Sequence, residues 1–185
     1  MLFFLFPDEE LREVFERLGY DYRPDTAARN VAYYDQRTSH GSTLSFVTYA
    51  GVLAAIDPES SWDRFLVALR SDVDDIQGGT TKEGIHLGVM AGTLALVQRY
   101  YAGAQIRDSV LYFDPRLPAG LGGVSFRMLF REASILVTLT PELLTLNVQP
   151  EGASHEIRAG IPGDVRELHP GDRAVFELSQ GRAGQ

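Results

Sequence analysis

The stretch Asp74–Thr93, DDIQGGTTKEGIHLGVMAGT, runs a polar, glycine-rich turn straight into an apolar segment of helical spacing. Gly78, Gly79, Thr80 and Thr81 make the turn, and Lys82 and His86 fall at or just inside the expected helix start. Glycine lets a backbone approach a ligand closely, and the first turn of a helix leaves N–H groups unpaired beneath a dipole that favours an anion. Two threonine hydroxyls, an ammonium and an imidazole add side-chain donors. Taken alone, such a turn is ordinary helix-capping chemistry. A second donor-rich turn, TSHGSTLS at Thr38–Ser45, also enters an apolar helix, and an out-and-back helix pair separates the two. Connectivity therefore predicts both turns at one end of a helical layer.

Outward from this stretch the periodicity predicts helices over 8–18, 25–34, 43–56, 59–70 and 84–101. Pro7-Asp8-Glu9-Glu10 opens the first, with acidic residues near the positive end of its dipole, and Gly19 closes it. Leu44–Ile56 is almost wholly apolar and reads as a helix buried on most sides, while Trp62, Phe65, Leu66 and Leu69 give the next helix one inner face. Small residues in the last helix (Gly88, Ala91, Gly92, Ala95) predict close helix–helix approach. Beyond Gly103 the period falls from 3.6 to 2. Strands are expected at Val110–Phe113, Val124–Arg131, Ile135–Leu139 and Leu144–Val148, with weaker ones at Glu156–Arg158 and Ala174–Leu178. The fold class is α then β in two domains: helices over 1–103, a small antiparallel β-sandwich over 104–180, and a frayed tail at 181–185.

Composition excludes several functions. With 44% hydrophobic and 23% charged residues the 185-residue chain is of ordinary globular type. A net charge of −8 without a basic stripe speaks against nucleic acid, and the absence of cysteine removes disulfides and thiolate metal sites. His40, His86, His155 and His169 lack metal-ligand spacing, so no metal is expected. The apolar start, MLFFLFPDEE, is too short for a membrane span and lacks a basic n-region. It reads as the interior of a longer gene product.

Three segments in order, TSHGSTLS, DIQGGTTKEGIHLG and DPRLP (Asp114–Pro118), resemble the C-terminal part of glycoside hydrolase family 65, and the resemblance runs from Leu2 to about Leu178. It implies the last helices of an (α/α)6 barrel followed by a C-terminal β-sandwich. It further implies a cytoplasmic enzyme of carbohydrate metabolism performing inverting phosphorolysis of an α-linked glucose disaccharide to β-glucose 1-phosphate. Inorganic phosphate is then a co-substrate and no cofactor is needed. A match to the family's hydroxyl- and glycine-rich segments makes Ser42, Thr43, Lys82 and His86 the expected phosphate ligands, Thr43 standing where many members have serine. His40, Ser45, Gly78, Gly79, Thr80 and Thr81 are expected to support them. The family's general acid, a glutamate, and its glucose-gripping Lys-Gln segment are expected upstream of Met1. Asp74, Asp75 and Glu83 are read as capping or ion-pairing carboxylates.

The chain is accordingly expected to carry the phosphate end of an active site and to be inactive in isolation. Its partner is either the remaining half of the barrel or another copy of itself, because Phe3, Phe4, Leu5, Leu44, Val47 and Leu53 are expected to lack cover. A sugar- or protein-binding module without catalysis, and a hydrolase of the same family, are the alternatives.

Overall fold

The computed structural model describes residues 1–151 and 155–178. These form two compact units, Met1–Tyr100 and Tyr101–Gln185. The expected frayed tail at 181–185 lies outside the described residues.

Among the described residues the first unit holds six α-helices: α1 (Leu2–Leu5), α2 (Asp8–Arg17), α3 (Thr26–Asp35), α4 (Leu44–Leu53), α5 (Pro58–Arg70) and α6 (Leu87–Ala95). Local chemistry starts α5 cleanly. Asp57 caps it by accepting from the Ser60 N–H and hydroxyl, and Pro58 occupies a first-turn position where no N–H is needed. Helices α4 and α5 are joined by the buried Ser61 hydroxyl, which donates to the Ala50 carbonyl at 2.7 Å. Glycines bring the other elements in. A Cβ on Gly92 of α6 would lie 2.7 Å from Val47, and one on Gly51 of α4 would lie 2.6 Å from the Phe4 ring, which stacks on Tyr100.

The helix expected over 84–101 starts later and changes its winding partway. A 3₁₀ turn covers Thr80–Glu83, α6 begins only at Leu87, and Leu96–Tyr101 is π-helical. Gly84 has φ +138, outside helical space, and the His86 N–H is taken by Asp72, so the helix nucleates beyond both. Exposure of the apolar residues is also narrower than expected. Val47, against which α6 packs through Gly92, and Leu53 are buried, whereas Leu5 and Leu44 are exposed. Gly88 has no neighbour within contact distance of a Cβ, so of the small residues it is Gly92 that sets the close approach.

The second unit comprises β1 (Ala104–Arg107), β2 (Val110–Phe113), β3 (Val124–Phe130), β4 (Ala133–Leu139), β5 (Leu143–Val148), β6 (Ile157–Ile161), β7 (Asp164–Leu168) and β8 (Arg173–Glu177). They make two four-stranded sheets, ordered β1-β2-β6-β7 and β3-β4-β5-β8. Alternation puts Ala133, Ile135, Val137 and Leu139 of β4, and Leu144, Leu146 and Val148 of β5, into one core with Leu111, Phe113, Ile157 and Phe176. The expectation of a wholly antiparallel sandwich is corrected at one pair. β2 and β6 run parallel, Leu111 facing Ala159, with β3–β5 forming the long crossover that a parallel pair requires. Strands β1 and β7 were not expected. Arg131, expected at a strand end, occupies with Glu132 the left-handed two-residue turn between β3 and β4. Among the described residues no helix is long and apolar enough to cross a membrane.

Candidate anion site in the helical unit

The turn entering α4 is held by a directed chain of hydrogen bonds. Arg64 on α5 grips both carboxylate oxygens of Asp35 on α3 at 3.2 Å, and its Nη1 lies 3.3 Å from His40 Nε2. A guanidinium only donates, so Nε2 accepts and the His40 hydrogen sits on Nδ1. Nδ1 therefore donates to the Ser45 hydroxyl at 2.9 Å, and Ser45 donates in turn to the Ser42 carbonyl at 2.7 Å. The His40 ring stacks on Phe46, with centroids 4.8 Å apart. His40 and Ser45 are thus occupied in shaping the loop. Ser42 is exposed, and its oxygen accepts from the Leu44 N–H at 3.3 Å, which leaves its own hydroxyl proton to donate. Thr43, in contrast, is 2% exposed, and its hydroxyl is buried without a partner among the described residues.

The second turn is organised by two aspartates. Asp75 adopts φ +47 and turns its carboxylate into the glycine-rich loop, accepting from the Thr81 N–H at 3.3 Å. That N–H above all, with further help from the Thr81 side chain and the Gly79 N–H, holds the Asp75 carboxyl below the ordinary aspartate value. The Gly78 N–H goes to the Asp75 carbonyl and the Lys82 N–H to Gly79. Much of the backbone-donor set of Gly78, Gly79 and Thr81 is therefore satisfied within the loop, and the Thr80 hydroxyl is buried without a partner among the described residues. Lys82 is exposed. Asp74 pairs with Arg70, one helical turn away.

Asp72, which no motif signalled, anchors His86. Its Oδ2 accepts from the His86 N–H at 2.9 Å and its Oδ1 lies 2.5 Å from His86 Nδ1. The bond to His86 holds the Asp72 carboxyl below its ordinary value. Sequence spacing could not show this pair, because the two residues belong to no shared element and stand 14 apart.

The two turns meet. The Gln77 amide, one residue before Gly78, donates to the Gly41 carbonyl, one residue before Ser42, at 3.0 Å. Two side-chain donors that have no acceptor among the described residues, Ser42 and Lys82, thereby come from loops tied to each other, and His86 follows on a carboxylate anchor. The hydrogen-bond donors these two turns leave open are side chains more than backbone.

The profile of the glycosyl hydrolase family 65 central catalytic domain matches residues 1–95, and that of the family's C-terminal domain matches residues 104–166. The chain belongs to this family. An uncharacterized glycosyl hydrolase of Mycobacterium tuberculosis is 39% identical over 92% of the chain and 13% of its own length. Trehalose 6-phosphate phosphorylase of Lactococcus lactis is 31% identical over 96% of the chain and 23% of its own length. Among solved structures, a provisionally assigned kojibiose phosphorylase from the human microbiome has the same fold, with a TM-score of 0.70 and 20% identity over 93% of this chain and 22% of that one. The chain thus spans less than a quarter of the length of these relatives.

Proposed function

We propose that this chain supplies the phosphate-binding end of an inverting α-glucoside phosphorylase, its helices forming part of an (α/α)6 barrel. The observation that carries the reading is the Gln77–Gly41 hydrogen bond, which joins the two donor-rich turns. Ser42, Lys82 and His86 offer donors to a phosphate at that junction, with the Thr43 hydroxyl beneath. The Gly78–Thr81 loop shapes the rim, and His40 and Ser45 brace it. An oxygen of inorganic phosphate attacks the anomeric carbon as the glycosidic C–O bond breaks. The departing oxygen takes its proton from a carboxylic acid, a glutamate supplied by barrel residues beyond these 185. The products are β-glucose 1-phosphate and the second sugar, and the reaction belongs to cytoplasmic carbohydrate metabolism without a cofactor.

The non-catalytic sugar-binding module is less well supported. Sugar platforms are aromatic, yet the exposed large apolar residues described in the sheet unit are Ile106, Leu129, Leu143 and Val175. A chimera tests the proposal. This chain replaces the matching segment of the Lactococcus enzyme, and turnover of trehalose 6-phosphate is followed with and without inorganic phosphate. Phosphate-dependent turnover that loses phosphate affinity in Ser42→Ala and His86→Ala is expected. Equal turnover in water alone would instead make the site that of a hydrolase.

A further inference from the structure

Asp72 follows Ser71, the residue that ends α5, and directs both carboxylate oxygens at one residue, His86, the cap of α6. One oxygen takes the backbone N–H and the other the ring, so the position of the residue and the rotation of its imidazole are fixed together. The Asp72 side chain is 8% exposed and that of His86 29%. An ionised carboxylate only accepts, so the hydrogen between Oδ1 and Nδ1 belongs to the ring. Nε2 has no partner among the described residues and remains the nitrogen that can meet a ligand. We infer that Asp72 is a positioning residue for phosphate binding: it commits Nδ1 of His86 to itself and leaves Nε2 for the anion. The inference rests on the phosphate-site reading above.

The chemistry follows from the proton count. With Nδ1 protonated and the ring neutral, Nε2 carries a lone pair and repels a phosphate dianion. When Nε2 takes one proton from solvent, the ring becomes an imidazolium held between two anions, Asp72 on one side and phosphate on the other. Asp75 is the second carboxylate that acts on this ring electrostatically, and Lys82 and Glu83 lie in the 3₁₀ turn before it. In Asp72→Asn the amide oxygen still accepts from the His86 N–H, but the amide nitrogen donates to Nδ1. The ring hydrogen then sits on Nε2, which meets phosphate as a neutral donor, and the charged form no longer has a carboxylate at Nδ1 to sustain it.

The test uses the whole chain, with ¹⁵N spectra of its histidine rings assigned by His86→Gln and inorganic phosphate as the probe. The wild type is expected to hold the Nδ1–H form and to gain a proton at Nε2 as phosphate binds. Asp72→Asn is expected to show the Nε2–H form and phosphate binding weakened about tenfold, the order of one charge-assisted hydrogen bond. Asp74→Asn, at a carboxylate paired with Arg70, should alter neither. A wild type in the Nε2–H form, or an unchanged tautomer in a folded Asp72→Asn, overturns the role of Asp72 even if phosphate binds. Normal tautomers with no response of the wild type to phosphate overturn the phosphate-site reading and the inference with it. If Asp72→Asn does not fold, the wild-type tautomer and its phosphate response decide alone.

Discussion

At the scale of single residues, the candidate site depends on two buried or half-buried acids whose roles differ. Asp72 holds the His86 imidazole, and Asp75 fills a glycine-rich loop with its own carboxylate. Both are held below the ordinary aspartate value, Asp72 chiefly by its bond to His86 and Asp75 chiefly by the Thr81 N–H. A depressed folded value means that their contribution to stability is complete above the ordinary carboxylate range and is lost as the pH falls through the depressed values. Neutral pH down to about 4.5 should therefore leave both turns intact, with loosening confined to more acid solution. Carboxyl ¹³C titration of Asp72 and Asp75 checks this: midpoints below that of a free aspartate are expected, and midpoints at or above it would remove both anchors. Ser45→Ala should loosen the first turn by about 1 kcal/mol, since it removes one donor to Ser42 and the acceptor of His40. Chemical denaturation measures that loss. The residue types that mark the loops were plain in the sequence as runs of hydroxyls and glycines. Their occupation was not, because Thr43 turns inward and Asp75 uses donors that spacing alone left open.

At the scale of elements, what could be read followed the strength of the local signal. Helix α5 has its acidic cap and its proline and lies where expected, with Phe65 buried, but Leu69, expected on the same inner face, is exposed. The stretch after Glu83 reads as one long helix because Ile85–Tyr101 is apolar enough for it, yet Gly84 and the Asp72–His86 bond delay the start. Strand β7, DVREL, buries fully just Leu168 and sits at a sheet edge, where charged side chains are favoured, so it carries almost no period-2 signal. Close approach at glycine makes the element-scale prediction. Gly51→Ala would put a methyl 2.6 Å from the Phe4 ring, and Gly92→Ala one 2.7 Å from Val47. Each should destabilise the helical unit by about 1–3 kcal/mol, the usual cost of overpacking. Gly88→Ala, with open space around it, should be neutral or slightly stabilising through helix propensity. Helical melting curves of the three variants check the ranking.

At the scale of the whole molecule, the helical unit presents apolar side chains on both sides of α6. Val89 is buried, with Leu96 in the π-helical segment that follows, while Leu87, Ala91 and Leu94 form an exposed stripe at helical spacing, with Leu87 70% and Leu94 68% exposed. A helix apolar on opposite faces belongs in the interior of a larger body. The isolated chain should therefore self-associate, and Leu87→Glu with Leu94→Glu should shift it toward the monomer in size-exclusion chromatography. A monodisperse wild-type monomer with little dye binding would mean that the stripe needs no cover. The proposed phosphate site joins two loops tied by Gln77 and Gly41. It is tested most directly by titrating inorganic phosphate into the ¹⁵N-labelled chain and following the backbone amides of both loops. Saturable shifts of one common midpoint in Gly41–Ser45 and in Gly78–His86, reduced together by Gln77→Ala, are predicted. Shifts in one loop alone, in neither, or with two unrelated midpoints would contradict it.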